Sequence, residues 1–307
     1  MVRGFGVGGR WGLTAATWAW HDGELVEAPS ISAAHRGFLY GDGVFETVLV
    51  HRGRPVFLAA HLARLARGAA ALGLMLPYSV RTLTEAVTAV VRQNGISTGA
   101  VRLTVSRGPG ERGLAPAGNL RPTVLVAATP GLPYGPKVYE EGLAAVLLPW
   151  PRNERSPLSR IKSTSCAENV LGAMAAERAG ADEGIFLNTS GYLAEGTKTN
   201  LFLVKDGEVL TPPVEAGALP GIVRALVLAS FPVRERMLAL EDLFAAEEAF
   251  LTNSLLGVAP LVRVNGRSLG DGRPGKATRR VIGHYAEMLN NSLKAPGIKP
   301  NWSTASR

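Results

Sequence analysis

The chain has 307 residues, 46% hydrophobic and only 19% charged, which excludes a disordered chain and allows one large core or two moderate ones. Its net charge of +8 is scattered, with no run of five basic residues and no nucleic-acid motif, so phosphate and carboxylate ligands are the expected anions. One cysteine, Cys166, excludes an intramolecular disulfide, and no apolar run has signal-peptide or bilayer-spanning character, so a cytoplasmic protein without a membrane partner is expected.

Residues 1–16 are glycine-rich and basic and read as a flexible lead-in. A short hairpin follows: Thr17-Trp18-Ala19-Trp20, a His-Asp-Gly turn, then Glu24-Leu25-Val26. Arg36-Gly37-Phe38-Leu39-Tyr40-Gly41-Asp42-Gly43 breaks into an alternating strand, Val44 to Val50, and Arg52-Gly53 turns it back. His61 to Arg67 lies in a helix whose Leu62, Leu65, Ala69 and Leu72 share a face. A second helix covers Ser79 to Gln93. Ala100 to Ser106 is a strand that opens into a glycine-rich loop holding Arg107 and Arg112. After a strand from Leu120 to Thr129, Pro130 to Pro136 is the clearest linker. The domains are therefore expected at 17–133 (small, N-terminal) and 141–290 (large, C-terminal), joined by 134–140.

The second half begins with a strand, Leu143 to Leu148, and a basic approach from Arg152 to Arg160. Then comes Ser159-Arg160-Ile161-Lys162-Ser163-Thr164-Ser165. Ser165-Cys166-Ala167-Glu168 fits a capping box, and Val170, Leu171, Met174 and Ala175 recur at helical spacing until Ala179-Gly180. Lys162 thus stands ahead of a helix N-terminus, whose partial positive charge disfavours an ammonium. A neutral amine there is a nucleophile. Gly184 to Val204 reads as three strands, with Glu195 at a strand end. Leu219-Pro220-Gly221-Ile222-Val223-Arg224 starts a helix running to Ser230, and the free N–H groups of such a start suit a phosphate. Glu248 to Pro260 reads as a strand that stops in polar groups, with the cluster Thr252-Asn253-Ser254. A helix from Gly275 to Leu289 precedes a polar tail, 291–307.

Five of these segments, in order, resemble the fold-type IV pyridoxal-phosphate enzymes, and the resemblance spans about residues 17–290: Arg36 to Glu46, His61-Leu62-Ala63-Arg64-Leu65, the Lys162 stretch with Glu195-Gly196-Thr197-Lys198-Thr199-Asn200-Leu201-Phe202, the Leu219 helix start, and Thr252-Asn253-Ser254. It implies an α+β, two-domain fold: a small α/β sandwich domain, then a larger β-barrel-like domain with helices. It also implies pyridoxal 5'-phosphate as cofactor, joined covalently to Lys162, with Glu195 against the pyridine nitrogen. Arg64, the backbone of Ile222 and Val223, and the Ser254 hydroxyl would hold the phosphate. A guanidinium suits that task because its planar fork makes two charge-assisted bonds. Tyr40, Phe45, Arg107 and Asn253 would border the substrate, with Arg102 and Arg112 as weaker carboxylate candidates. No metal is implied.

Within the family, Ser106-Arg107-Gly108-Pro109-Gly110-Glu111-Arg112-Gly113-Leu114 and Asn253-Ser254-Leu255 are similar to the 4-amino-4-deoxychorismate lyases. The branched-chain aminotransferases often carry a tyrosine where Ala167 stands; the family commonly has threonine at Val223 and frequently asparagine at Ser165. The expected activity is therefore conversion of 4-amino-4-deoxychorismate to 4-aminobenzoate and pyruvate, in folate precursor synthesis. The alternatives are an aminotransferase of D- or branched-chain amino acids and, in another class, a non-catalytic basic binding protein. The expected partners are a small carboxylate substrate and a second copy of the chain, because the arginine loop of this family can reach the neighbouring subunit's site.

Overall fold

The computed structural model describes residues 18–293. The lead-in, and the tail from residue 294, lie outside the described residues. The first half runs β1 (Trp18–His21), β2 (Glu24–Glu27), α1 (Arg36–Tyr40), β3 (Gly43–His51), β4 (Arg54–Pro55), α2 (Leu58–Ala71), α3 (Val80–Gln93), β5 (Gly99–Ser106) and β6 (Thr123–Pro130). Its strands form one antiparallel sheet of order β2-β1-β6-β5-β3-β4. Alternation along β5 sends Val101, Leu103 and Val105 to one face, where α2 and α3 cover them with Leu62, Leu65, Leu83, Val87 and Val90. By the same alternation and the β3–β5 register, Glu46 falls on this apolar face, opposite Leu103. Phe45, paired with Thr104, and Thr47, paired with Arg102, look the other way.

The second half runs α4 (Lys137–Glu140), β7 (Leu143–Leu147), α5 (Ala167–Arg178), β8 (Glu183–Leu187), β9 (Leu193–Gly196), β10 (Asn200–Lys205), β11 (Glu208–Thr211), α6 (Ile222–Ser230), β12 (Val233–Glu235), α7 (Leu240–Phe244), β13 (Glu248–Asn253), β14 (Gly257–Val264), β15 (Arg267–Ser268) and α8 (Lys276–Ser292). Its nine-stranded sheet has the order β12-β11-β10-β13-β14-β7-β8-β9, with β15 on β14. The sheet curls into a half-barrel: β9, at one end, returns to β10, and the Gly196 N–H donates to the Thr199 carbonyl at 2.8 Å. Leu193, Leu201, Leu203, Leu251 and Leu261 fill one side; Phe202 and Phe250 stack on the other, under α6 and α8. Burial on both faces explains why these strands read as nearly continuous apolar runs. The first sheet touches the second half where Val44 of β3 bridges Ser163, in the segment ahead of α5. Among the described residues no helix is long and apolar enough to cross a membrane.

Four local expectations are corrected. The capping box does not form: the Ser165 hydroxyl donates to the Gly41 carbonyl at 3.1 Å, Glu168 turns to Arg152, and Cys166 is the N-cap without a side-chain bond. The apolar stripe of α5 does not face the core. Gly172 and Ala176 do, because a Cβ at 172 would already press on Thr197 and Leu148. Finally, residues 36–40 form a helix, closed by Gly41 in the left-handed region (φ 64), and α8 continues past its expected end at Leu289.

Candidate active site

Lys162 reaches the site on a pinned segment. Its carbonyl accepts from the Phe45 N–H at 3.0 Å, and the Thr164 N–H donates to the Gly43 carbonyl at 2.9 Å, so the segment lies along the start of β3 like a further strand. The Thr164 hydroxyl adds a bond to the Gly41 carbonyl at 2.7 Å. The Lys162 ammonium nitrogen sits 4.6 Å from the centre of the Phe45 ring, and the Arg102 guanidinium stands 3.7 Å from the same centre. Burial first, and then the charge of Arg64, lower the lysine from 10.5 to about 8. The direction matches the expectation, but its cause is desolvation and a neighbouring cation, with the carboxylates of Glu46 and Glu195 pulling the other way.

Glu195 is buried at the end of β9. One carboxyl oxygen, Oε1, lies 3.1 Å from Arg152 Nη2; the other accepts from the Leu219 N–H at 2.8 Å and from Asn200 Nδ2 at 3.2 Å. Burial raises its pKa to about 7 although Arg152 and the Leu219 amide oppose the rise. Arg152 is itself fixed: Nε donates to the Gly217 carbonyl at 2.9 Å, and its guanidinium lies 5.3 Å from the Phe186 ring centre. Sequence reasoning places Arg152 only in a basic approach and does not pair it with Glu195.

The third group lies between α2 and α6. Arg64 grips Glu46 with Nε at 2.7 Å and Nη2 at 2.6 Å, and its Nη1 donates to the Pro220 carbonyl at 3.1 Å. Burial alone would raise the Glu46 carboxyl, but the hydrogen bonds of Arg64 and His61 hold it at about 2. Three of the five Arg64 N–H donors are engaged, which leaves two for an anion. At Gly221 no side chain caps α6, so the amides of Ile222 and Val223 lead the helix. Glycine is required there, since a Cβ would collide with Asn200 Oδ1. Ser254 Oγ is 3.4 Å from His61 Nε2. Two residues earlier, near the end of β13, Thr252 Oγ1 is buried and has no hydrogen-bond partner among the described residues.

These groups fit the cofactor that the resemblance implies. A buried amine of lowered pKa suits an aldehyde, and a carboxyl near its neutral point suits a pyridine nitrogen. Arginine, leading amides, a serine and an orphaned threonine hydroxyl suit a phosphate.

Tyr40 and Arg107 belong to another cluster, around a cavity of about 260 Å³ that also touches Ser163 and Ser165, close neighbours of Lys162. Arg107 acts as a strut: Nε donates to Asp42 at 2.8 Å, and its terminal nitrogens donate to the carbonyls of Leu72 at 2.7 Å and Gly73 at 3.1 Å. Arg36 shares Asp42 at 2.9 Å and holds the carbonyls of Gly113 and Leu114, while the Tyr40 hydroxyl accepts from the Gly113 N–H at 3.2 Å. Arg112 is exposed on that loop. The Asn253 side chain closes its own turn, accepting from the N–H groups of Leu255 and Leu256. Arg102, on β5, shares the Phe45 ring with Lys162.

Known proteins are similar to this chain over most of its length. The branched-chain-amino-acid aminotransferase of Escherichia coli K12 is 32% identical over 282 residues, covering 87% of this chain and 91% of that one. A crystal structure of the Escherichia coli branched-chain amino acid aminotransferase matches with a TM-score of 0.86 at 28% identity, covering 94% of this chain and 98% of that one. The T.th. branched-chain amino acid aminotransferase, solved with pyridoxamine 5'-phosphate, matches at 0.85 and 27% identity, covering 91% and 95%. A Legionella pneumophila protein named as a candidate 4-amino-4-deoxychorismate lyase matches at 0.77 and 28% identity, covering 86% and 96%. The family model described as amino-transferase class IV covers residues 43–264, a stretch that includes every residue of the buried cluster from Glu46 to Ser254, and the chain belongs to that family.

Proposed function

We propose that the chain is an aminotransferase that moves amino groups from branched-chain amino acids to a 2-oxo acid. The observation that carries an amino-group chemistry is the buried Lys162 amine, lowered to about 8, close enough to the buried Glu195 carboxyl for their charges to interact. The named relatives, branched-chain aminotransferases over nearly their full length, support transfer over the lyase activity expected from the loop motif. Pyridoxal 5'-phosphate is the cofactor, and it supplies an aldehyde carbon and an electron-withdrawing ring.

Lys162 would provide the amine that holds the cofactor's aldehyde carbon, and as a free amine it would take the proton from the substrate's α-carbon and later return one. A pKa of about 8 leaves enough free base for both tasks near neutral pH. Glu195, with Arg152 behind it, would face the pyridine nitrogen and keep a proton there. Arg64, the leading amides of α6 and Ser254 bind the phosphate. Arg102 offers a cation to the substrate carboxylate beside the apolar Phe45 ring. The exposed apolar side chains of α5 support a homodimer.

The lyase remains as a second reading because of one feature, the Arg107 to Leu114 loop, which Arg36 and Tyr40 bind at the cavity beside the lysine segment. One experiment separates the two. The purified protein, loaded with cofactor, is given leucine and 2-oxoglutarate, and glutamate is measured; in parallel it is given 4-amino-4-deoxychorismate without any acceptor. Glutamate formation supports the transaminase. Fluorescent 4-aminobenzoate from the second assay, with no glutamate in the first, overturns it.

A further inference from the structure

His61 is buried on α2 between two oxygen groups, and its hydrogen-bond directions are constrained on one side only. Its Nδ1 lies 2.7 Å from Glu46 Oε2. The Glu46 carboxylate is ionised and only accepts, so Nδ1 carries a hydrogen whatever the charge of the ring. The remaining choice is at Nε2, 3.4 Å from Ser254 Oγ. A neutral ring presents a lone pair there, and the serine hydroxyl aims its hydrogen at that lone pair. Ser254 then has only lone pairs for an anion on its other side. A protonated ring donates to Oγ instead, which frees the serine hydrogen for the anion.

We infer that His61 takes up a proton from solvent when a phosphate group settles at Ser254, and thereby decides whether this serine is a donor to it. The inference rests on the reading of Ser254 as a phosphate contact. Four surroundings face the ring. Glu46 on β3 favours the imidazolium; Arg64 on the same helix and Lys162 on the segment ahead of α5 oppose it; the turn after β13 brings Ser254 and no charge. Without an anion, burial and the two cations keep the ring neutral. A phosphate dianion changes this balance, because it adds negative charge where previously only Glu46 supplied any. His61 is thus a positioning residue that acts through Ser254.

The test uses pyridoxine 5'-phosphate, which has ring and phosphate but no aldehyde and so cannot join Lys162. Calorimetric titration of the cofactor-free protein at pH 8, in buffers of different ionisation enthalpy, counts protons taken up on binding. Uptake at Glu195 or the pyridine nitrogen is common to wild type and variant, so the difference reports on His61. Wild type is expected to take up about one proton more per molecule bound than His61→Gln, and its affinity to fall about tenfold more per pH unit above the ring's titration. Equal proton counts, with both proteins binding, overturn the inference. Should His61→Gln not fold, imidazole ¹⁵N signals of histidine-labelled wild type give the same answer: a ring that stays neutral at saturation overturns it. Ser254→Ala is expected to bind more weakly and to lose the extra proton. An unchanged affinity in Ser254→Ala overturns the phosphate reading of Ser254, and failure of wild type to bind the probe overturns the cofactor reading itself.

Discussion

Arg152 and Glu195 form an ion pair inside the protein, Nη2 to Oε1 at 3.1 Å, with 9% and 6% of their side chains exposed. The arginine keeps the carboxyl near its midpoint where burial alone would hold it neutral. Removing that cation raises the Glu195 pKa further above about 7, so the acid limb of the activity profile moves to higher pH. Arg152→Gln is expected to lower kcat at pH 7.5 by about tenfold or more, with recovery as pH rises, while Arg152→Lys restores part of the loss. The check is a kcat–pH profile for the three proteins. An acid limb in the same place for all of them would show that Arg152 does not set the charge of Glu195.

The buried lysine lowers the stability of the cofactor-free protein. Its folded pKa, about 8, lies below the usual 10.5, so between those values the unfolded chain binds more protons. Stability from this group therefore rises with pH across that window, and its cost is fully present below pH 8. The difference amounts to at most about 3 kcal/mol. Lys162→Met, similar in volume and free of charge, is expected to be more stable than wild type at pH 7 and to lose that advantage toward pH 10.5. Denaturant midpoints of the two cofactor-free proteins at both pH values measure it, and a Lys162→Met protein no more stable at pH 7 would contradict the lowered lysine.

Legible in the sequence are the groups proposed to act directly, which stand in short motifs. Lys162, Glu195, Arg64 and Ser254 come from segments far apart in the chain, and the structure puts each at the buried cluster or its edge. The groups that hold them are not legible, because their partners are set by tertiary contacts. Arg152 meets Glu195 only after the half-barrel curls, and Asn200 links Glu195 to the Leu219 turn through a bond at 2.9 Å that no spacing announces. Glu46 does carry a signal: a carboxylate at an even position among Val44, Val48 and Val50 must lie on the apolar face and needs a buried cation. Ser165 misleads because its motif offers a local bond, and the carbonyls of α1 and its cap compete for the same hydroxyl.

Glu46 joins Arg64 and the His61 ring of α2, so its neutralisation leaves the buried guanidinium without its counter-charge. Removing one member of a buried ion pair costs about 3–5 kcal/mol. Glu46→Gln keeps the size and one acceptor, yet places a donor against Arg64 or His61. Its unfolding free energy is expected to fall by that amount, which lowers the denaturant midpoint, and its cofactor to bind more weakly because Arg64 loses its anchor. Equilibrium urea unfolding gives the first quantity and visible titration of cofactor binding the second. Unfolding at the wild-type midpoint would show that the carboxylate is not what secures Arg64.

Helix α5 presents Val170, Leu171 and Met174 outward at 52%, 56% and 41% exposure, while its small residues Gly172 and Ala176 face the sheet. Three adjacent apolar side chains on the outside of a helix are stable in water only at a hydrophobic cost, and a second copy of the chain would remove it. Leu171→Glu tests this without disturbing the fold, because residue 171 points away from the core and glutamate is a good helix former. The wild type is expected to elute as a homodimer in size exclusion with light scattering, and Leu171→Glu to dissociate at concentrations at least about tenfold higher, which corresponds to about 1.4 kcal/mol. Far-ultraviolet circular dichroism should be the same for both. A variant that remains dimeric at the same dilution as wild type would move the interface away from α5.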